Sequence, residues 1–290
     1  MSNLTHKIVE EEAWDTVIKP KGSLFEINFK ELWAYRDLGY MFVKRDITTQ
    51  YKQTILGPAW FFIQPIFTTV MYVLVFGGIA GIKTGTVPQA LFYLAGISMW
   101  NYFSDCLNKT SSTFASNAHI FGKVYFPRLI VPLSVVTSNL VRFFIQLGLF
   151  ICVYLFFVLF KEQDIAPNFY LLLFPVLVIM MAGIALGTGV LVSSLTTKYR
   201  DLTMFFLFFV GLWMYATPVI YPLASIPAKY QFYAALNPLT SIFEAFKYGA
   251  FGEGAFSWWQ LGYSFGFMVV LLGLGIVVFN RVQRSFMDTV

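Results

Sequence analysis

The chain has 290 residues, of which 58% are hydrophobic and only 12% charged, with a mean hydropathy of +0.67. Soluble domains are about half apolar and about a quarter charged, so this composition excludes an ordinary globular enzyme and predicts an all-α protein of many membrane spans. The net charge of +5 does not point to nucleic acid, because the basic residues gather at the edges of apolar runs.

The opening, MSNLTHKIVEEEAWD, is polar and acidic and predicts no cleavable signal peptide. Residues 28–53 mix Phe29, Leu32, Trp33, Tyr35 and Leu38 with Lys30, Arg36, Lys44 and Arg45. That pattern suits an amphipathic helix lying in the membrane interface, where Trp and Tyr are favoured. Residues 1–55 are therefore read as a cytoplasmic N-terminal segment and 56–290 as a six-helix transmembrane domain. A span needs roughly 20 apolar residues. Six candidates follow in order: 56–80, 88–112, 130–160, 169–195, 203–221 and 258–280. The third is long enough to tilt or to project beyond the bilayer.

Two inter-span regions are unusual. NAHIFGKVYFPRLIVPLS, residues 117–134, is aromatic, basic and interrupted by prolines. Between the fifth and sixth spans, Pro218, Pro222, Pro227 and Pro238 exclude one continuous helix, yet the region is too apolar for a solvated loop. Short helices at the outer face, before the last span, fit best.

Lys and Arg set the orientation. With both termini cytoplasmic, Lys7, Lys19, Lys21, Lys30, Arg36, Lys44, Arg45 and Lys52 fall inside, as do Lys109, Lys123, Arg128, Lys198, Arg200, Arg281 and Arg284. Only Lys83, Lys161, Lys229 and Lys247 fall outside, and Arg142 lies within a span. The expected topology is N-in, C-in.

Arg142 lies near the midplane, twelve residues into the third span from Ile130. Ser138, Asn139 and Gln146 share its helical face. Asp105, the one carboxylate in the middle of an apolar run, lies on the preceding span. An Asp105–Arg142 pair facing the bundle interior is expected, with a water-filled pore lining for Arg142 as the alternative.

Chemistry-bearing motifs are missing. Cys106 and Cys152 lie in apolar segments, and two histidines, His6 and His119, cannot build a metal site. No G-x-x-x-x-G-K-[ST] occurs, and GGIAGIKTG at 77–85 has the wrong spacing. No nucleophile–base set is present. The outer carboxylates, Glu162, Asp164, Glu244 and Glu253, have no histidine beside them. The chain is therefore expected to be a transport subunit rather than an enzyme. Without a nucleotide loop it must borrow its energy or run downhill.

Five stretches occur in a distinctive order: LWAYRDL (32–38), RDITTQYKQTILGPAW (45–60), KVYFPRLIVPLS (123–134), KYRDL (198–202) and LNPLT (236–240). Together they resemble the transmembrane subunit of bacterial ABC exporters of O-antigen and related cell-surface polysaccharides, over nearly the whole chain. The resemblance implies a homodimer of six-helix permeases in the inner membrane. It also implies two separate cytoplasmic ATPase subunits, which would hold the ATP and Mg that this chain does not bind. The implied substrate is a glycan on an undecaprenyl diphosphate carrier. The extended stretch before Trp33 favours the O-antigen branch over the capsule branch. An ABC exporter of small lipophilic compounds and an integral-membrane transferase for lipid-linked sugars are the rival classes.

Within that resemblance, residues 117–134 correspond to a coupling helix. His119, Phe121, Lys123, Val124, Tyr125, Phe126 and Arg128 are the expected ATPase contacts, with the aromatics as an apolar plug and Lys123 and Arg128 at its rim. A loop that merely holds span ends in register is the plainer reading. Lys44, Arg45 and Lys52 stand where the carrier pyrophosphate would need cations, although positive-inside anchoring explains them equally. Aromatic residues make up 19% of the chain, and Trp60, Phe67, Phe206 and Tyr215 are candidate rings along a translocation path.

Overall fold

The computed structural model describes residues 29–52, 54–163, 165–196 and 201–285, and every regular element among them is helical. The expected roles of His6, Lys7, Lys19, Lys21, Asp164, Lys198 and Arg200 lie outside the described residues. The N-terminal segment forms α1 (Phe29–Ala34) and α2 (Arg36–Tyr51), joined at Tyr35. A 3₁₀ turn at Gly57–Ala59 leads into α3 (Trp60–Tyr72), which opens into a π-helical stretch at Val73–Ile79. Pro65 sits inside α3 and removes the N–H that would bond the Phe61 carbonyl.

After α4 (Gln89–Ser111) comes the short α5 (Thr113–Phe121), and then α6 (Ile130–Phe160), 31 residues long. A 3₁₀ turn at Phe169–Leu173 starts α7 (Phe174–Thr196). The remaining helices are α8 (Asp201–Trp213), α9 (Ala228–Leu236), α10 (Pro238–Phe251) and α11 (Trp258–Ser285).

Four stretches are long and apolar enough to cross a membrane: Gly57–Ile79, Ile130–Phe160, Phe169–Thr196 and Trp258–Gln283. The expected second span is a helix of 23 residues, α4, but it carries Asn101, Asp105, Asn108 and Lys109. The expected fifth span, 203–221, is helical only as far as Trp213. Beyond it the backbone tightens into i→i+3 bonds, from Tyr215 to Leu212 (3.0 Å), Ala216 to Trp213 (3.1 Å) and Thr217 to Met214 (3.2 Å). Pro218 has no N–H to continue the ladder, and it pushes Thr217 out of the helical region.

LNPLT explains the next corner. The Asn237 side chain accepts from Leu239 N (3.1 Å), capping α10, while Pro238 occupies the first turn. The same carboxamide accepts from Trp213 Nε1 (3.2 Å) and donates to Ala216 O (3.1 Å), tying the α10 start to the α8 end. One residue thus fixes two termini.

α4 is the central helix. It packs against α3, α6 and α7, and α7 in turn packs against α11. In lipid there is little hydrophobic drive between helices, so contact rests on close packing and small residues. Gly183 and Gly187 place α7 against α11; a Cβ on Gly187 would stand 2.8 Å from the Leu271 carbonyl carbon. Gly189 does the same toward Thr110 on α4. α10, by contrast with the exposed α9, is buried along almost its whole length, against α4, α7, α11 and the Phe169–Leu173 turn.

Candidate functional site

Three polar or aromatic constellations stand out, one at each end of the bundle and one within it. At one end, Phe114, Phe121, Phe126 and Phe279 join Phe42 in a buried cluster, with Phe114 and Phe279 stacked at 4.7 Å. Phe121 and Phe126, expected to offer a plug to a partner, are therefore turned into the chain's own core. Arg128 is buried as well. Its guanidinium lies 5.4 Å from the Phe121 ring centroid and donates to the Gln283 carbonyl (2.9 Å) in the last turn of α11. The surface of the loop is made by His119, Lys123, Val124 and Tyr125. Tyr125 donates from its hydroxyl to Glu31 Oε1 (3.3 Å), and partial burial beside that carboxylate raises the phenol pKa. A cavity of about 320 Å³ lies under these residues, reaching Gln283.

Nearby, Lys44, Arg45 and Lys52 are exposed on and just after α2. Arg45 is already engaged: it pairs with Asp46 at 2.8 Å and stacks over Phe42 at 4.8 Å. Lys44 and Lys52 have no ion pair among the described residues.

Within the bundle, Arg142 Nη1 meets Asp105 Oδ2 at 2.5 Å. The guanidinium also lies over the Phe61 ring at 5.5 Å. One turn toward the cytoplasmic expectation, Lys109 donates to Asn139 Oδ1 (3.0 Å), and Asn139 donates to the Val135 carbonyl (3.0 Å). A cavity of about 220 Å³ opens beside the ion pair, bounded by Gln50, Trp60, Gln64, Asn101 and Gln146. The structure thus brings Trp60, Asp105 and Arg142 to one place. Gln50, Gln64 and Asn101 escaped the sequence reading. Their signal was available, as carboxamides at the end of α2 and inside two apolar helices, where polar side chains are costly.

The other candidate rings do not converge there. Phe67 lies exposed on α3, Phe206 packs partly buried against the main core, and Tyr215 is exposed beyond α8. Tyr72 connects the α3 end to this region through a 3.8 Å contact from its hydroxyl to Met214 Sδ.

At the opposite end, Lys247 on α10 is buried beside Glu244 (3.6 Å) and donates to the Pro218 carbonyl (2.5 Å). Its ammonium lies 4.0 Å from the Phe92 ring centroid. Burial lowers its pKa to about 8, against the opposing pull of the Glu244 carboxylate. Glu244 Oε2 accepts from Ala255 N (3.1 Å), and Glu253 Oε1 accepts from Thr86 N (2.8 Å) and from the Thr86 hydroxyl. Glu244, Lys247, Glu253 and Ala255 border a cavity of about 560 Å³.

A packed bundle of long apolar helices with polar cavities inside it is the architecture of a multi-pass membrane protein. Residues 39–251 match the ABC-2 type transporter family, and the chain belongs to it. It is 29% identical over 221 residues to the O-antigen export system permease protein RfbA of Myxococcus xanthus, covering 75% of this chain and 82% of that one. The protein of the same description from Klebsiella pneumoniae is 26% identical over 262 residues, covering 87% and 96% respectively. The capsule polysaccharide export inner-membrane protein CtrC of Neisseria meningitidis serogroup B is 22% identical over 254 residues, covering 83% and 89%. With its apolar helices, the chain is a multi-pass protein of the bacterial inner membrane.

Proposed function

We propose that this chain is the permease subunit of an ATP-driven exporter that moves an undecaprenyl-diphosphate-linked polysaccharide of O-antigen type across the inner membrane. The observation that carries the reading is similarity over three quarters or more of the chain to O-antigen export permeases from two organisms. In this reading the chain is a homodimer with six spans per copy and both termini cytoplasmic; α4, the less apolar, and the short helix from Asp201 supply the two remaining crossings. Two copies of a separate ATPase dock at Lys123, Val124 and Tyr125, the exposed part of the loop after α5. The carrier pyrophosphate meets Lys44 and Lys52, which have no ion pair among the described residues, more readily than Arg45, which Asp46 already holds.

A lipid-linked sugar transferase is the less supported reading: Glu244 sits in an ion pair with Lys247 and accepts from Ala255 N, and Glu253 accepts from Thr86, which suits structural roles. The deciding experiment reconstitutes the permease with its ATPase in proteoliposomes. Lipid-linked glycan should stimulate ATP hydrolysis several-fold, and deletion of the chain should remove surface polysaccharide from cells. Stimulation by small lipophilic compounds instead of the glycan would overturn the reading.

A further inference from the structure

We propose that the cavity among α2, α3, α4 and α6 is a binding station for a single neutral sugar ring of the exported chain, held by carboxamides and stacked on Trp60. This rests on the export reading above and names what one part of the path recognises. The cavity, about 220 Å³, has room for about seven waters at ~30 Å³ each, the scale of one sugar ring rather than a lipid tail. Its wall is polar although three of its four helices are expected to cross the membrane.

Gln146 is the most telling residue. It is only 5% exposed, lines the cavity, and has no hydrogen-bond partner for its carboxamide among the described residues. A buried polar group costs free energy unless it is paired. Asn139, two turns earlier on the same helix, shows what a satisfied carboxamide looks like there, bonded to Lys109 and Val135. Gln146 instead keeps two donors and an acceptor for a ligand. Gln64 and Asn101, from two other helices, add the same chemistry. Adjacent hydroxyls of a sugar, each both donor and acceptor, match such a set.

Charge decides between a sugar and a phosphate. Arg142 is neutralised by Asp105, and Lys109 borders a neighbouring small cavity together with Asp46. Asp46 is held by Arg45 and Lys109 is spent on Asn139, so the one uncommitted donor of the cations here is Arg142 Nη2, a single nitrogen that suits a hydroxyl rather than the fork a diphosphate takes. Trp60 supplies the flat face: it is 47% exposed, whereas the adjacent Phe61 is buried beneath Arg142. Flat rings bind sugar faces without demanding one sequence of sugars, as they bind bases in single strands.

The test uses the detergent-purified chain with oligosaccharide released by mild acid from the surface polysaccharide of the cells that make it. Binding is followed by saturation-transfer NMR and calorimetry. Wild type should bind; Gln146→Leu and Trp60→Leu should each weaken binding at least tenfold, and Trp60→Phe should stay within threefold of wild type. Each variant is compared only if it elutes as wild type on gel filtration, and Gln64→Leu replaces one that does not. Wild-type affinity in the leucine variants, or displacement of the oligosaccharide by inorganic pyrophosphate, overturns the proposal. So does absent binding by the wild type while cells still need the chain for surface polysaccharide. Cells that keep their surface polysaccharide without the chain overturn the export reading itself.

Discussion

Arg142 lies about 18 Å along α6 from Ile130, at ~1.5 Å per residue, deep enough that a lone guanidinium would be costly. Its side chain is 15% exposed and that of Asp105 33%, so the pair is shielded without being sealed. Removing one partner of a fully buried pair costs about 3–5 kcal/mol, and partial exposure brings the figure down. Arg142→Ala should therefore destabilise the protein by about 2 kcal/mol, read by thermal unfolding in detergent. Asp105→Asn combined with Arg142→Gln should recover part of that loss, with a coupling of at least ~1 kcal/mol in a double-mutant cycle. Strictly additive losses would mean that the two charges do not support each other.

Glycine contacts set the helix spacing, and they are testable one helix at a time. Gly187→Ala drives a methyl into the α11 backbone and should cost about 1–3 kcal/mol. Gly211→Ala, on α8 with open space around the new carbon, should instead be neutral or stabilising by up to ~1 kcal/mol. Equal effects at the two sites would remove the α7–α11 contact as the explanation. The glycine spacing GIALG on α7 could be read in the sequence, but not which neighbour it served. Helix positions were legible because apolar run length is set by bilayer thickness. The early stop at Trp213 was foreshadowed only by Pro218, five residues later, since the apolar run itself continues. Which face each helix buries was not legible. α7, apolar all round, carries almost no moment to orient it; α10 does have an apolar stripe, and what its pattern did not foretell is that its polar side, with Glu244 and Lys247, is buried too. Polar residues were the exception: Asp105, Arg142, Asn139 and Gln146 marked their face because few alternatives exist for them in an apolar setting.

Across the whole molecule, the loop after α5 separates support from contact. Phe121→Ala should open a void in the cluster around Phe114 and Phe126 and cost about 3–5 kcal/mol of stability. Tyr125→Ala with Val124→Ala, both at the surface, should leave stability within about 0.5 kcal/mol and yet reduce co-purification of the ATPase several-fold. Retained ATPase in the surface double variant would move docking elsewhere. Arg128 joins that loop to the last turn of α11 through the Gln283 carbonyl. α11 has 28 residues and is about 42 Å long at ~1.5 Å per residue. Midway it bears on α7 at Gly187 and Gly275, backbone to backbone, with no side chain to compress. Mechanically this is a rocker on a hard fulcrum. A tilt of about 5° imposed at Gln283 swings Trp258, about 20 Å beyond the fulcrum at ~1.5 Å per residue, by about 2 Å the other way. The far arm ends three residues from Ala255, whose amide is bonded to Glu244, so a push at the Gln283 end of α11 would be geared to the Lys247 cluster at the other end of the bundle.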